Sequence, residues 1–372
     1  MRIIQISTIG VAESSAIPTN LPKSGVLWLS CGRTEFEAAQ GAIQSTLQTL
    51  CGMQLVDLHV SDLLNQHLPS RYDYTAQYDM LVFRRLATAA PVQAGNGSAQ
   101  VATTDTPIKN RSGPPILRRM DTSPIGFAIL GQVLLSVHPD DCAVRDAYAT
   151  RLTSAAADLM RDTPTRLPTS PSDLMLRIVT QVVDVYLDLR RELSRQLDHW
   201  QAELLAPNTR FTNWGALLDA RLSLHALDDV AEDQRTAMQD WIAALETWPL
   251  ANSSAGRREH DLLKVRSRDV LEHIERVVRH VRRLEQNAET TVQMHFSAQG
   301  HRTNEIMRTL TVLTAVFLPL NLITGFFGMN FDFLPLVHRQ AGIWWAVGIM
   351  SVLAVGLVAV FWRKRYLART AR

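Results

Sequence analysis

With 372 residues, the chain is too long for one ordinary domain core, and its 46% hydrophobic content and mean hydropathy of −0.03 hide an apolar concentration after Thr309. A formal net charge of +2, with no long basic arm, excludes nucleic acid as a leading partner. Cys31, Cys51 and Cys142 are too widely spaced for a disulfide framework or a clustered zinc site, and read as reduced thiols.

From the N-terminus, Met1-Arg2-Ile3-Ile4 soon meets Glu13 and Pro18, so no apolar signal segment is expected and this part is placed in the cytoplasm. Apolar, β-rich runs at Val26 to Leu29, Leu55 to Leu58, Met80 to Leu86, Ile125 to Leu130 and Val133 to Val137 read as strands. Helical patterns start near Thr34, at Ser61 as a cap, and after Asp140 and Asp141, the last running through Arg151 and Leu159. Residues 1–170 therefore read as an α+β cytoplasmic domain of α/β/α type. Residues 87–123, rich in Ala, Thr, Gly, Ser and Pro without periodicity, read as a flexible insertion between two strands.

Residues 171–256 read as helical arms. Ser172 is the expected cap of a helix carrying Leu176, Val179, Val183, Tyr186, Leu187, Leu193 and Leu197, which Pro207 ends. Further helices are expected from about Trp214 to Leu227 and from Glu232 to Trp248. Between Pro249 and Pro319 there is no proline, and Val270, Ile274, Val277, Val281 and Leu284 recur at spacings of four and three. A stalk helix that runs unbroken from about Arg257 into the first span, residues 257–327, would reach roughly 105 Å at about 1.5 Å per residue. A bundle helix broken at Gly300 is the alternative. His273, His280, His295 and His301 lie on this helix and read as solvated residues more readily than as metal ligands.

No charged residue occurs from Leu310 to Phe327 or from Ile343 to Trp362, and each run approaches the ~20 residues that cross a bilayer. Trp344, Trp345 and Trp362 suit its interfaces. Arg302 and Arg308 before the first span, and Arg363, Lys364, Arg365, Arg369 and Arg372 in the basic tail 363–372, place both ends inside. The loop 328–342 is then outside, and residues 343–362 form the second span.

Within the first span Asn304, Met307, Leu310 or Thr311, Thr314, Leu318, Asn321 and Gly325 fall three or four apart, on one helical face. An unpaired amide in hydrocarbon costs several kcal/mol, so this face must meet protein or water. Two helices from one chain cannot enclose water, so a pore requires several copies; packing of small and hydroxylated residues between helices is the alternative.

The span ends in Phe326-Phe327-Gly328-Met329-Asn330, about 40 residues from the C-terminus and after a long stalk. From about Arg268 to Leu367, most specifically at Thr303 to Met307, Pro319 and Gly325 to Phe331, the sequence resembles the CorA family of magnesium and cobalt channels, which includes the ZntB zinc transporters. That resemblance implies a homopentameric funnel in the inner membrane, with first spans around the pore and cytoplasmic domains that sense metal. It makes Gly328, Met329 and Asn330 the selectivity filter. Asn304, Met307, Leu310, Thr314, Leu318, Asn321 and Gly325 line the pore below, with Met307, Leu310 and Leu318 as apolar constrictions. Mg2+ sheds water reluctantly, so amide oxygens that accept hydrogen bonds from bound water suit the hydrated ion.

Asp269 matches the position of a regulatory carboxylate on the stalk, with a plain surface carboxylate as the alternative. The outer loop departs from the common pattern: Leu334 and Pro335 lead into Leu336 and Val337, with Asp332 the one acid at the mouth and His338 and Arg339 nearby. Cation recruitment there is weaker, which keeps Co2+ and a proton-coupled, ZntB-like Zn2+ carrier beside Mg2+. A membrane-anchored sensor without conduction is a third class. No nucleophile, paired carboxylates or Gly-rich phosphate loop argues for an enzyme.

Overall fold

The computed structural model describes residues 1–7, 10–14, 16–18, 21, 25–86, 122–140, 142–158, 167–205, 214–249, 253–329 and 340–363. Two compact units emerge, Met1–Glu289 and Thr290–Arg372.

The first unit opens with β1 (Arg2–Ser7), β2 (Gly10–Ser14) and β3 (Val26–Gly32), followed by α1 (Arg33–Ala38), α2 (Gln40–Cys51) and α3 (Asp57–Leu64). Then come β4 (Arg71–Tyr74), β5 (Asp79–Leu86), β6 (Thr122–Leu130), β7 (Val133–His138) and α4 (Ala143–Asp158). The strands form one seven-stranded sheet in the order β2-β1-β3-β7-β6-β5-β4, antiparallel except for the β3–β7 pair. Central strands bury both faces, which is why β3 and β7 read as continuous apolar runs.

On one face Leu27, Leu29 and Cys31 of β3 pack with Phe36 of α1, Ile43 and Leu47 of α2, and Val60 and Leu63 of α3. On the alternate residues, Trp28 meets Tyr148 of α4 edge to face at 5.9 Å. Trp28 Nε1 donates to Ser136 Oγ at 2.7 Å, His138 Nε2 lies 2.8 Å from that oxygen, and Cys142 Sγ lies 3.4 Å from His138 Nδ1. Complete burial, with Arg145 and Arg85 nearby, holds the His138 imidazole down at about 3, so it is neutral in the fold. Burial likewise pushes the Cys31 thiol up to about 12, and all three cysteines are free thiols. Gly131 takes φ +58° in the β6–β7 turn, a conformation costly for any residue with a Cβ.

α5 (Pro171–Leu205) and α6 (Trp214–Thr247) complete the layers with the first part of α7 (Ser254–Phe327). Pro171 stands at the first helical position, where its missing N–H costs nothing. The cap is Ser170, whose Oγ accepts from Asp173 N at 3.3 Å; Ser172 instead lies buried in the first turn, a correction to the expected cap. Val270, Ile274, Val277, Val281 and Leu284 are all buried, as the seam predicts, and α7 continues through Gly300.

Other expectations are revised. Leu55 to Leu58 is no strand: Leu55 is buried but Val56 and Leu58 are exposed, and α3 begins at Asp57, with Ser61 inside it. The two helices expected across Trp214 to Trp248 are one, since neither Gly nor Pro interrupts residues 228–231. Thr122 and Ser123 belong to β6, not to the insertion, whose residues 87–121 lie outside the described residues.

The second unit holds the rest of α7 and α8 (Gln340–Arg363), whose candidate span begins at Ile343 and extends to Arg363. Both helices are long and apolar enough to cross a membrane, with mean hydropathies of 1.9 and 2.3 in their most apolar windows. Each such window is only 6% buried within the chain, unlike the core helix of a soluble protein.

Candidate functional site

The first span has two opposed faces. Val312, Val316, Pro319, Leu320, Ile323 and Phe327 are shielded to various degrees by the chain itself. At roughly 100° per residue, Asn304, Met307, Thr311, Thr314, Leu318, Asn321 and Gly325 centre on the other side of the helix. All seven are exposed, as is Leu310 at their margin. The amides, hydroxyls and constriction residues therefore share a surface that this chain does not cover.

Local chemistry shapes that surface. Thr311 Oγ1 donates to Met307 O at 2.7 Å and Thr314 Oγ1 to Leu310 O at 2.9 Å, which satisfies the hydroxyl hydrogens within the helix and leaves oxygen lone pairs outward. Pro319 lacks an N–H, so the Ala315 carbonyl loses its helical donor and is available to water or a neighbour. The helix closes at Gly328, whose N–H donates to Thr324 O at 2.9 Å, and Met329 N donates to Phe326 O at 3.3 Å. Asn330 and Asp332 lie outside the described residues.

On the cytoplasmic part of α7, Asp269 is exposed and not isolated. His273, one turn on, places Nε2 3.7 Å from Asp269 Oδ1 and Nδ1 3.7 Å from Asp184 Oδ1 of α5. Asp184 and Asp269 line one cavity of about 360 Å³. Two exposed carboxylates are the hard, water-tolerant ligands that suit Mg2+, yet among the described residues no three His, Cys, Asp or Glu side chains converge to hold a metal. A metal at Asp269 would keep most of its waters or draw a ligand from another copy.

The stalk histidines divide. His301 is exposed as expected, but His273 is largely covered, His280 Nε2 lies 3.1 Å from Ser194 Oγ, and His295 is buried. The pairing of Asp184 with His273 was not anticipated from the sequence. The (i, i+4) spacing of Asp269 and His273 was the available local signal; the α5 partner had none.

Comparison with known proteins follows the same lines. A family model described as CorA-like Mg2+ transporter protein matches residues 109–365. The cobalt/magnesium transport protein CorA of Thermotoga maritima is 31% identical over 100 residues, 27% of this chain and 28% of that protein. The putative metal ion transporter YfjQ of Bacillus subtilis is 27% identical over 206 residues, 54% of this chain and 60% of that protein. The chain thus matches less than two thirds of the length of these curated relatives. The complete structure of the CorA magnesium transporter from Methanocaldococcus jannaschii superposes with TM-score 0.66 at 18% identity, over 98% of both chains. Full-length CmaX superposes with TM-score 0.65 at 17% identity, over 98% of this chain and 97% of that one. At such identities the likeness is one of fold.

Proposed function

The chain belongs to the family of CorA-like Mg2+ transporter proteins, and on that footing we propose that it is a homopentameric channel for hydrated Mg2+, accepting Co2+, in the cytoplasmic membrane with both termini inside. The observation that carries the reading is the exposed stripe from Asn304 to Gly325, set opposite the face that the chain shields. A polar helix face cannot rest in hydrocarbon, and several copies turned inward give it water. Asn330 closes the path as a ring of amides that hydrogen-bonds the ion's water shell, so the ion passes without a carboxylate cage. Met307, Leu310 and Leu318 narrow the path and dewet it when closed. On the cytoplasmic side Asp269 is the sensor: Mg2+ bound there cancels repulsion between like charges and holds the closed state.

A second reading, a proton-coupled Zn2+ carrier, is favoured by the weakly acidic sequence of the outer loop, in which Asp332 is the one acid and His338 and Arg339 follow. Uptake into proteoliposomes of Mg2+, Co2+ and Zn2+, with and without a pH gradient, separates the two. Mg2+ flux that needs no proton gradient and is lost in Asn330→Ala supports the channel. Zn2+ flux that requires the gradient supports the carrier, and a tight bilayer under every condition defeats both.

A further inference from the structure

The exposed face of the first span continues below Asn304. Along α7, Gln293, Phe296, Gly300, Asn304 and Met307 follow one another at spacings of three, four, four and three, and all five are exposed. The interval from Phe296 to Thr314 is about five full turns of helix, so the two share a direction. All of these positions belong to the second unit, which begins at Thr290. On the same stretch Thr291 and His295 are covered, each 5% exposed. They stand about 140° and 100° around the helix from Phe296, on the side away from Gly300 and Asn304.

Two residues on this face have no explanation within the chain. Phe296 meets the His295 ring edge to face at 6.2 Å and is still 57% exposed. It is the one large apolar side chain on the face between Gln293 and Met307. Gly300 weakens a helix, yet α7 runs through it unbroken, and a Cβ there would meet nothing within 4 Å. Neither a turn nor close packing in this chain asks for glycine. Both residues fit a shared wet axis: Gly300 leaves open space beneath Asn304, and Phe296 narrows the path at the end of that space.

We propose that Phe296 forms a further constriction of the ion path, one ring from each copy, at the cytoplasmic mouth, roughly 16 Å along the helix from Met307. The proposal rests on the channel reading of the stripe and extends it. It repeats the pattern of the span, where Met307 follows Asn304 and Leu318 lies between Thr314 and Asn321: apolar bulk set between polar groups. A hydrated ion passes a ring of hydrocarbon only where water passes, so the aromatic ring dewets as the copies close. When the copies separate, the π faces favour a cation over an anion.

The test is Mg2+ uptake into proteoliposomes by the full chain with Cys31, Cys51 and Cys142 replaced by alanine. Phe296→Cys is compared with Met294→Cys, because Met294 is 53% exposed but points about 160° away. A charged, membrane-impermeant thiol reagent on the side of the large domain should cut uptake about fivefold or more at 296 and leave it unchanged at 294. Without reagent, Phe296→Ala should raise the flux that persists at saturating internal Mg2+ about threefold, and Phe296→Trp should not raise it. Uptake insensitive to reagent at 296, block at 294 instead, or unchanged residual flux in Phe296→Ala overturns the constriction while a conducting parent keeps the channel reading. A parent that conducts no Mg2+ fails earlier, at the channel reading itself, and the constriction falls with it.

Discussion

Asp173→Asn should loosen the junction of α5 and α7 by an amount the geometry sets. Asp173 is 5% exposed; its Oδ2 accepts from Arg177 Nε at 3.2 Å and from Thr169 N at 3.4 Å, while Oδ1 holds Arg266. The amide keeps the shape and one acceptor oxygen, removes the charge, and turns an NH2 toward a guanidinium. Removing one partner of a fully buried ion pair costs about 3–5 kcal/mol, and a hydrogen bond to a charged group contributes about 1.5–3 kcal/mol. Here the side chains of Arg177 and Arg266 are 23% and 35% exposed and regain water, which brings the expected loss to about 2–3 kcal/mol. In hydrogen exchange of the full-length protein, that loss is an increase of about 30- to 150-fold in the opening of α7 amides near residue 266. A double-mutant cycle with Arg266→Gln should give a coupling of at least about 1 kcal/mol. A change below about threefold, or additive single mutants, would refute the argument that Asp173 ties the two helices.

Two further outcomes follow from groups already described. His138 is held near 3 in the fold against an ordinary 6.5, so the unfolded chain takes up a proton that the folded one refuses. Its contribution makes stability fall as pH drops from about 6.5 and level off below about 3; His138→Gln should flatten that window in thermal unfolding scans, and an unchanged pH slope would contradict the neutral, buried state. Asp269→Ala should shift internal Mg2+ inhibition of flux to concentrations roughly tenfold higher, consistent with losing one carboxylate ligand or bridge. Inhibition at the parent's concentration would remove Asp269 from sensing.

What the sequence revealed follows from how each element is buried. β3, β5, β6 and β7 sit inside the sheet with both faces covered, so apolar runs such as Val133 to Val137 mark them. β4 is the polar edge Arg71–Tyr74, and β2 the mostly exposed edge Gly10–Ser14; neither carries a burial pattern to read, and both were missed along with β1. Leu55 to Leu58 misled because apolar identity is not burial: Leu58 is 63% exposed on α3. The stalk and stripe were legible because a helix converts spacing of three and four into a face. The grouping of Asp184, His273 and Asp269 was not, since α5 and α7 are brought together only by packing.

The central claim is that the stripe of the first span faces a water-filled path. Thr314→Cys and Asn321→Cys, made in turn in a chain whose Cys31, Cys51 and Cys142 are replaced by alanine, can be treated in proteoliposomes with a charged, membrane-impermeant thiol reagent, beside Leu313→Cys on another exposed face. The account predicts that Mg2+ uptake is blocked at 314 and 321 and unaffected at 313. Reaction at 313 with 314 and 321 inert would contradict it.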